Sequence, residues 1–230
     1  MMKKIWMLAT IGWLGMTASW AQSDTCVPVR LQCDYLESPL GIDNPNPRLS
    51  WKLDDVRKSA KQTAYQMWVG TDSLQVVHER GNMWDSKKQS SDNTLQMYAG
   101  QELAPFTKYF WKVKVWDKDG IPSVSKVSSF ETGMMSMKNW QGAWIGDGHG
   151  TDYKPAPYFR KVFQTKKKIK SARAYLVAAG LFELYLNGEK IGNHRLDPLY
   201  TRFDRKNFYL TFDVTKYLQE GKNAIGVLLG

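Results

Sequence analysis

The chain has 230 residues, 43% of them hydrophobic and 23% charged, and its formal net charge at neutral pH is +10. The basic residues are scattered, and the densest run is the three lysines 166–168 followed by Lys170. Because nucleic-acid binding requires basic residues clustered on a recognisable module, this pattern favours a solvated loop or strand edge and excludes nucleic acid as an expected partner.

The first 21 residues have the pattern of a cleavable signal peptide. Lys3 and Lys4 precede an apolar run over residues 5–18, and the tripeptide 19–21 places small residues at the expected cleavage site. The apolar run is short for a bilayer-spanning helix, although an uncleaved membrane anchor is the alternative interpretation. We therefore expect export to the periplasm or the extracellular space, with no membrane span after signal cleavage.

The two cysteines, Cys26 and Cys33, flank a segment that looks extended. Residues seven apart in one strand lie far from each other, so a mutual disulfide would need a turn at Pro28. Export would permit such a bond. We expect Cys33 instead to be a buried apolar residue.

Short alternating strands separated by Gly, Pro, Asn and Asp predict an all-β fold, with residues 22–133 forming a first β-sandwich. The alternation is cleanest over residues 110–116, where three large apolar side chains share one face: Trp111, Val113 and Val115. A turn follows in which Gly120 is free to take a positive φ. With the closing run 128–132, this pattern resembles a fibronectin type III module.

Residues 134–139 lack any period and are predicted to be a linker before a second domain over residues 140–230. Trp140 and Trp144 are expected to pack in the seam between the domains, with a sugar-stacking platform as the alternative. The strongest local signal is the Asn187-Gly188 pair between apolar strands, because both central residues of a type I′ hairpin turn need positive φ.

The sequence ends on the continuous apolar run 224–229. A buried strand with no following turn is an unusual end for a natural domain. We therefore expect the sequence to be a fragment whose second domain is truncated at its C-terminus.

Several motifs together resemble the bacterial α-L-rhamnosidase family. The first stretch comprises residues 38–43 and 46–51, with the sequences SPLGID and NPRLSW. The second is a series of short motifs in the family's order: APYFRK (156–161), LYLNG (184–188), LDP (196–198), TRFD (201–204), DVT (213–215) and GKNAIGV (221–227). The resemblance implies two consecutive β-sandwiches, one fibronectin-III-like and one of the jelly-roll or galactose-binding-like type.

By this resemblance, the parent protein is an inverting glycoside hydrolase that removes terminal non-reducing α-L-rhamnose from glycans or glycosides. Its catalytic (α/α)6 barrel would lie downstream of these β-domains and would be their partner in the same chain. Inverting hydrolysis uses two carboxyl groups far enough apart to admit water, and in the family both lie in the barrel. No catalytic residue is therefore assigned here, and the chain alone is expected to be inactive.

The candidate sugar-binding residues lie on the long connection 192–207: Asp197, Tyr200, Arg202 and Asp204. The charged side chains can hydrogen-bond pairs of hydroxyl groups, and Tyr200 can stack on a sugar ring. The alternative is that Asp204 pairs with a neighbouring arginine while Tyr200 and Phe203 pack on the sandwich. The expected ligand is a rhamnose-containing carbohydrate.

No cofactor is predicted from the spacing of the residues. Sugar-binding relatives in the family use calcium with Asp and Asn ligands, but calcium needs six to eight oxygen ligands, and the spacing does not assemble them. The metal question therefore stays open at this stage. The alternative function for the whole chain is a stand-alone carbohydrate-binding or adhesion module.

Overall fold

The computed structural model describes residues 26–150, 152 and 155–230, so the predicted signal peptide lies outside the described residues. This part of the chain is almost entirely β-structure arranged around two separate hydrophobic cores. The all-β prediction with two consecutive β-sandwiches is therefore confirmed. In the described ranges, no helix is long and apolar enough to cross a membrane.

The first sandwich is built from nine strands and one short helix. In chain order these are β1 (Val27–Cys33), β2 (Arg48–Asp54), β3 (Gln62–Gly70), α1 (Ser73–Val77), β4 (Trp84–Asp85), β5 (Gln89–Ser90), β6 (Leu95–Met97), β7 (Lys108–Asp117), β8 (Pro122–Val124) and β9 (Ser128–Glu131). One sheet has the order β1-β2-β6, and the other has the order β4-β3-β7-β8, with β5 on β3 and β9 on β7. All these pairs are antiparallel.

The core of this sandwich follows the alternation of β7. Trp111, Val113 and Val115 are fully buried, as their shared face predicts. The Trp51 indole donates to Gln62 Oε1 at 3.0 Å, so this buried amide is satisfied. The core therefore combines a period-two apolar face with a paired polar group.

Arg57 joins two buried carboxylates at one end of this sandwich. Its Nη2 atom lies 2.6 Å from both Asp55 Oδ2 and Asp117 Oδ2. Hydrogen bonds from Arg57 lower the pKa of Asp55 to about 2. Burial alone would raise the pKa of Asp117, but Arg57 and two backbone N–H donors at its turn together lower it. Asp117 thus serves as a structural turn residue, as its position predicts.

The cysteines are both free and buried, in agreement with the expectation for Cys33. Burial, the largest cause, raises the pKa of the Cys26 thiol to about 11, and it also raises the pKa of the Cys33 thiol. Both groups therefore stay protonated and unreactive while the domain is folded.

The second sandwich has six strands: β10 (Tyr158–Thr165), β11 (Arg173–Val177), β12 (Phe182–Leu186), β13 (Glu189–Lys190), β14 (Tyr209–Asp213) and β15 (Gly221–Leu229). Four of them form a sheet in the order β10-β15-β12-β13, and β11 pairs with β14 in a second sheet. The inner faces meet in a core that includes Leu184, Leu186 and Phe182. Short 3-10 helices span Met137–Asn139 and Thr215–Tyr217.

The predicted hairpin forms between β12 and β13. Asn187 has φ 51° and Gly188 has φ 87°, as a type I′ turn requires. The Asn187 side chain also donates to Asn223 Oδ1 at 2.9 Å and accepts from the Ala224 N–H at 2.9 Å. Asn223 is itself 1% exposed and donates to the carbonyls of Gln219 and Gly221. The turn is therefore fixed by hydrogen bonds to a buried amide, that of Asn223, as well as by its φ values.

Candidate functional site

The loop 192–207 is anchored at one point to the second sandwich. The N–H of Phe182 donates to the Asp197 carbonyl at 2.8 Å, and the following residue, Pro198, is buried. Asn207 closes the loop by donating to the Phe203 carbonyl at 2.8 Å. The loop points several large side chains outward, including Leu196, Leu199 and Tyr200, each more than 70% exposed.

The four predicted sugar-binding residues form separate local contacts. Asp197 Oδ2 lies 3.2 Å from His194 Nδ1, and Arg202 makes a two-point contact with Asp204 at 3.1 and 2.6 Å. Tyr200 packs edge-on against Phe203, with ring centroids 5.2 Å apart. Among the described contacts, no hydrogen bond or ion pair joins Asp197 to the other three residues. The arrangement matches the packing alternative for Asp204, while the ring of Tyr200 stays 78% exposed and open to a ligand.

The loop does not provide the oxygen set that calcium needs. Asp197 faces a histidine and Asp204 faces an arginine, so the two carboxylates are occupied separately. Across the described residues, no group of three or more His, Cys, Asp or Glu side chains could hold a metal ion. The described side chains of this loop therefore do not fit a calcium site.

A second polar constellation lies where the two sandwiches meet. Arg173 on β11 makes two parallel hydrogen bonds to Glu131 on β9, each 2.8 Å long. The side chains are 14% and 7% exposed, respectively. Arg173 Nη1 also lies 3.1 Å from Asp213 Oδ1. This fork-to-fork geometry holds one orientation of the second domain against the first.

Tyr209 on β14 completes this domain joint. Its hydroxyl donates to Asp43 Oδ1 at 2.8 Å and accepts from the Met134 N–H at 3.0 Å. A Cβ atom on Gly133 would overlap the Tyr209 hydroxyl, so the close approach requires glycine there. Phe106 and Tyr175 add an edge-on ring contact, with centroids 5.3 Å apart. Asp43 of the first domain therefore binds across the joint.

The two tryptophans predicted for the seam behave differently. Trp140 packs near Tyr209, with ring centroids 6.2 Å apart, as expected for a residue in the seam. Trp144 is 65% exposed, so the prediction that it packs in the seam is wrong. The short segment that contains it forms no regular strand or helix and lies along the edge of an apolar cleft with Phe159 and Val177.

Sequence patterns did not reveal the joint. Glu131 looks like one residue of a closing strand, and Arg173 looks like the polar position of an alternating strand. The two residues are 42 positions apart, and the segment between them carries no signal of the pairing. The one available hint is that Arg173 is a charged residue at the start of an otherwise apolar strand.

Taken together, the described residues form a tandem β-sandwich unit whose two domains are held by a fixed joint. Residues 28–136 match the family model described as the Rha78A-like N-terminal immunoglobulin domain, and residues 167–230 match the alpha-L-rhamnosidase N-terminal domain. The chain thus carries the N-terminal domains of the α-L-rhamnosidase family.

Individual relatives agree with this assignment. The chain is 32% identical over 217 residues to an alpha-L-rhamnosidase of Formosa agariphila, covering 84% of this chain and 23% of the relative. It superposes on the alpha-L-rhamnosidase of Dictyoglumus thermophilum with a TM-score of 0.83 and 42% identity, over 89% of this chain and 25% of that one. For the Aspergillus terreus alfa-L-rhamnosidase the TM-score is 0.75 and the identity 25%, over 90% of this chain and 24% of that one. The chain therefore spans about a quarter of the length of these relatives.

Proposed function

We propose that this chain is the N-terminal accessory region of an exported α-L-rhamnosidase. The parent protein hydrolyses terminal non-reducing α-L-rhamnose in glycans or glycosides, and the two β-sandwiches support or shape its catalytic (α/α)6 domain. The observation that carries this proposal is the match of both domains, in one order and one relative arrangement, to the same family of enzymes. The signal-peptide pattern of the first 21 residues supports export to the periplasm or outside the cell.

The rigid joint supports the scaffolding role. The paired Arg173 and Glu131, together with Tyr209 and Asp43, bridge the two sandwiches through side chains that leave little freedom of rotation. An accessory region that props a catalytic domain needs such a joint, because independent domains joined by a free linker transmit no orientation.

Hydrolysis assays test whether activity requires the catalytic domain and is absent from the accessory region alone. The intact gene product is expected to release p-nitrophenol from p-nitrophenyl α-L-rhamnopyranoside, and the 230-residue chain alone is expected to release none. Turnover by the purified chain would contradict the accessory role. An intact gene product with no activity and no acidic catalytic domain would favour the alternative function, a stand-alone carbohydrate-binding or adhesion module.

A second proposal concerns sugar binding by the loop 192–207. The exposed ring of Tyr200 provides a stacking surface, and Arg202 with Asp204 provides donors and acceptors beside it. We expect millimolar or weaker binding of L-rhamnose, measured by calorimetry with and without calcium. Tyr200→Ala should abolish the heat, whereas Tyr35→Ala, which removes an exposed tyrosine from the first domain, should leave it unchanged. Absence of heat with the unmodified chain would leave the loop a purely structural role.

A further inference from the structure

The outer face of the four-stranded sheet in the second sandwich carries a narrow trough. The strand register places Arg160 of β10, Gly226 of β15 and Tyr185 of β12 side by side on this face. On the next rung, Tyr158, Leu228 and Glu183 are neighbours. The central strand thus contributes small residues, Ala224 and Gly226, between two rows of long side chains.

The trough is open to solvent. A Cβ atom placed on Gly226 would meet two atoms within 4 Å, Tyr185 Cβ at 3.8 Å and the Phe159 carbonyl at 3.9 Å. No ring atom of a tyrosine covers the glycine within that distance, so Tyr185 stands beside it as a wall. The cleft above the strand has a volume of about 350 Å³, at the lower end of the roughly 300–1,000 Å³ typical of small-molecule sites.

Tyr185, which forms one wall of the trough, is held in place by a polar network. The Tyr185 hydroxyl donates to Glu183 Oε2 at 2.6 Å, and Lys190 Nζ contacts the other oxygen of the same carboxylate. Hydrogen bonds from Lys190 and Tyr185 lower the pKa of Glu183, so the carboxylate stays ionised at neutral pH. The opposite wall presents Tyr158, which is 79% exposed, and the exposed Arg160.

The dimensions and the chemistry of this trough fit one sugar ring. Adjacent strands lie about 4.8 Å apart, so the backbones of the two walls, one strand on either side of β15, are about 10 Å apart. Leu228 limits the trough at one end, where the middle strand again carries a large side chain. A pyranose has a flat apolar face that can lie on the floor and against the Tyr185 ring, and hydroxyl groups that can accept from the exposed guanidinium of Arg160.

We propose that this trough is a second carbohydrate-binding site, which holds a single pyranose unit of a glycan chain with Tyr185 and Gly226 against the ring and Arg160 on its hydroxyls. Glu183 and Lys190 act as positioning residues that hold the Tyr185 hydroxyl. The identification of the ligand as part of a glycan rests on the proposed function of the parent enzyme. The site is separate from the loop 192–207, because it lies on the sheet face.

Methyl α-L-rhamnopyranoside and methyl β-D-glucopyranoside are suitable probes in a titration of the isotope-labelled chain followed by amide NMR. At least one probe is expected to shift the resonances of Gly226 and Ala224, with a Kd in the millimolar range because so small a ligand makes few contacts. The decisive variant is Gly226→Val, whose methyl groups fill the trough. Its backbone has room for a Cβ atom, and valine suits a strand, so the fold should be retained.

Gly226→Val should weaken binding at least about tenfold, since a filled cleft can no longer bury the ring. The matched control is Gln164→Val, on the same sheet face but about 13 Å further along the strands at roughly 3.3 Å per residue, and its Kd should equal that of the unmodified chain. Glu183→Gln, which keeps the shape of the side chain, should weaken binding several-fold and serves as the second test if the valine variant misfolds.

The proposal is overturned if neither probe moves the Gly226 and Ala224 resonances, or if Gly226→Val binds as well as the unmodified chain. Either result is independent of the proposed function, because release of p-nitrophenol by the intact gene product does not require the trough. Loss of the shifts in Tyr200→Ala with retention in Gly226→Val would assign the binding to the loop instead.

Discussion

The joint between the sandwiches should be the most sensitive polar feature of the molecule, and Arg173→Ala tests this. The substitution removes both hydrogen bonds to Glu131 and leaves that carboxylate almost buried, at 7% exposure, without its cation. Removing one partner of a buried ion pair costs about 3–5 kcal/mol. Because the arginine keeps 14% exposure and its contact with Asp213 reaches solvent, we expect about 2–4 kcal/mol here.

The matched control is Arg202→Ala. Arg202 makes the same kind of two-point contact, with Asp204, but the side chains are 67% and 62% exposed. Exposed pairs contribute about 0–1 kcal/mol, so this variant should unfold almost as the unmodified chain does. Both variants lose one arginine and one ion pair, so the difference between their unfolding free energies reports the effect of burial.

Both variants can be measured by urea unfolding followed through tryptophan fluorescence. At constant m-value, Arg173→Ala should lower the midpoint clearly more than Arg202→Ala does. Adding Glu131→Gln to Arg173→Ala should recover part of the loss, because a neutral amide is less costly to leave unpaired than a carboxylate. Equal midpoints for the two arginine variants would refute the argument that the buried fork holds the domains together.

Three further predictions concern the two cores. The free energy of unfolding should fall as the pH drops from about 4 towards about 2, because Asp55 has a pKa of about 2 in the folded chain and a higher, ordinary pKa in the unfolded chain, which therefore binds more protons. In an acid titration followed by fluorescence, the stability of Asp55→Asn should depend less steeply on pH. An unchanged slope would argue against the Arg57 contact. Asn223→Ala should lower the free energy of unfolding by about 2–3 kcal/mol, because it leaves buried hydrogen-bonding partners unsatisfied. In urea unfolding, the double variant with Asn187→Ala should lose less stability than the sum of the two single variants, since the two amides share a hydrogen bond. Ellman's reagent should label Cys26 and Cys33 only in denaturant, and fast labelling of the folded chain would contradict their burial.

The sequence predicted those turns, strand faces and ion pairs that depend only on residues close together in the chain. The Asn187-Gly188 turn follows from two adjacent residues that tolerate positive φ, and its hairpin forms as expected. The burial of Trp111 and Val113 follows from the two-residue period of a strand with one face in the core. The pairing of Arg202 with Asp204, weighed as the alternative to sugar binding, joins residues only two positions apart.

Contacts between segments that are far apart in the chain could not be predicted from the sequence. Neither Arg173 nor Glu131 signals the other, because the contact arises from how the sheets β11-β14 and β3-β7-β9 are brought together. The expected burial of Trp144 was wrong for a related reason: its side chain lines an open apolar cleft beside Trp140, and the distant segments that form this cleft leave it 65% exposed. Gly226 looked like an ordinary member of a buried apolar strand, although the register places it on the outer face.

The joint and the trough lie on opposite sides of the second sandwich, and this makes their roles separable. Arg173, Tyr175 and Tyr209 project from the outer face of the β11-β14 sheet towards the first domain, while the inner face of that sheet packs on the core. Gly226 projects from the far face of the other sheet. A variant that loosens the joint should therefore leave pyranose binding intact, and a variant that fills the trough should leave the urea midpoint intact. If Arg173→Ala in the intact gene product lowered the hydrolysis of a small aryl rhamnoside while Gly226→Val affected only a polymeric substrate, support of the catalytic domain and capture of the glycan would be two physically distinct contributions of one accessory region.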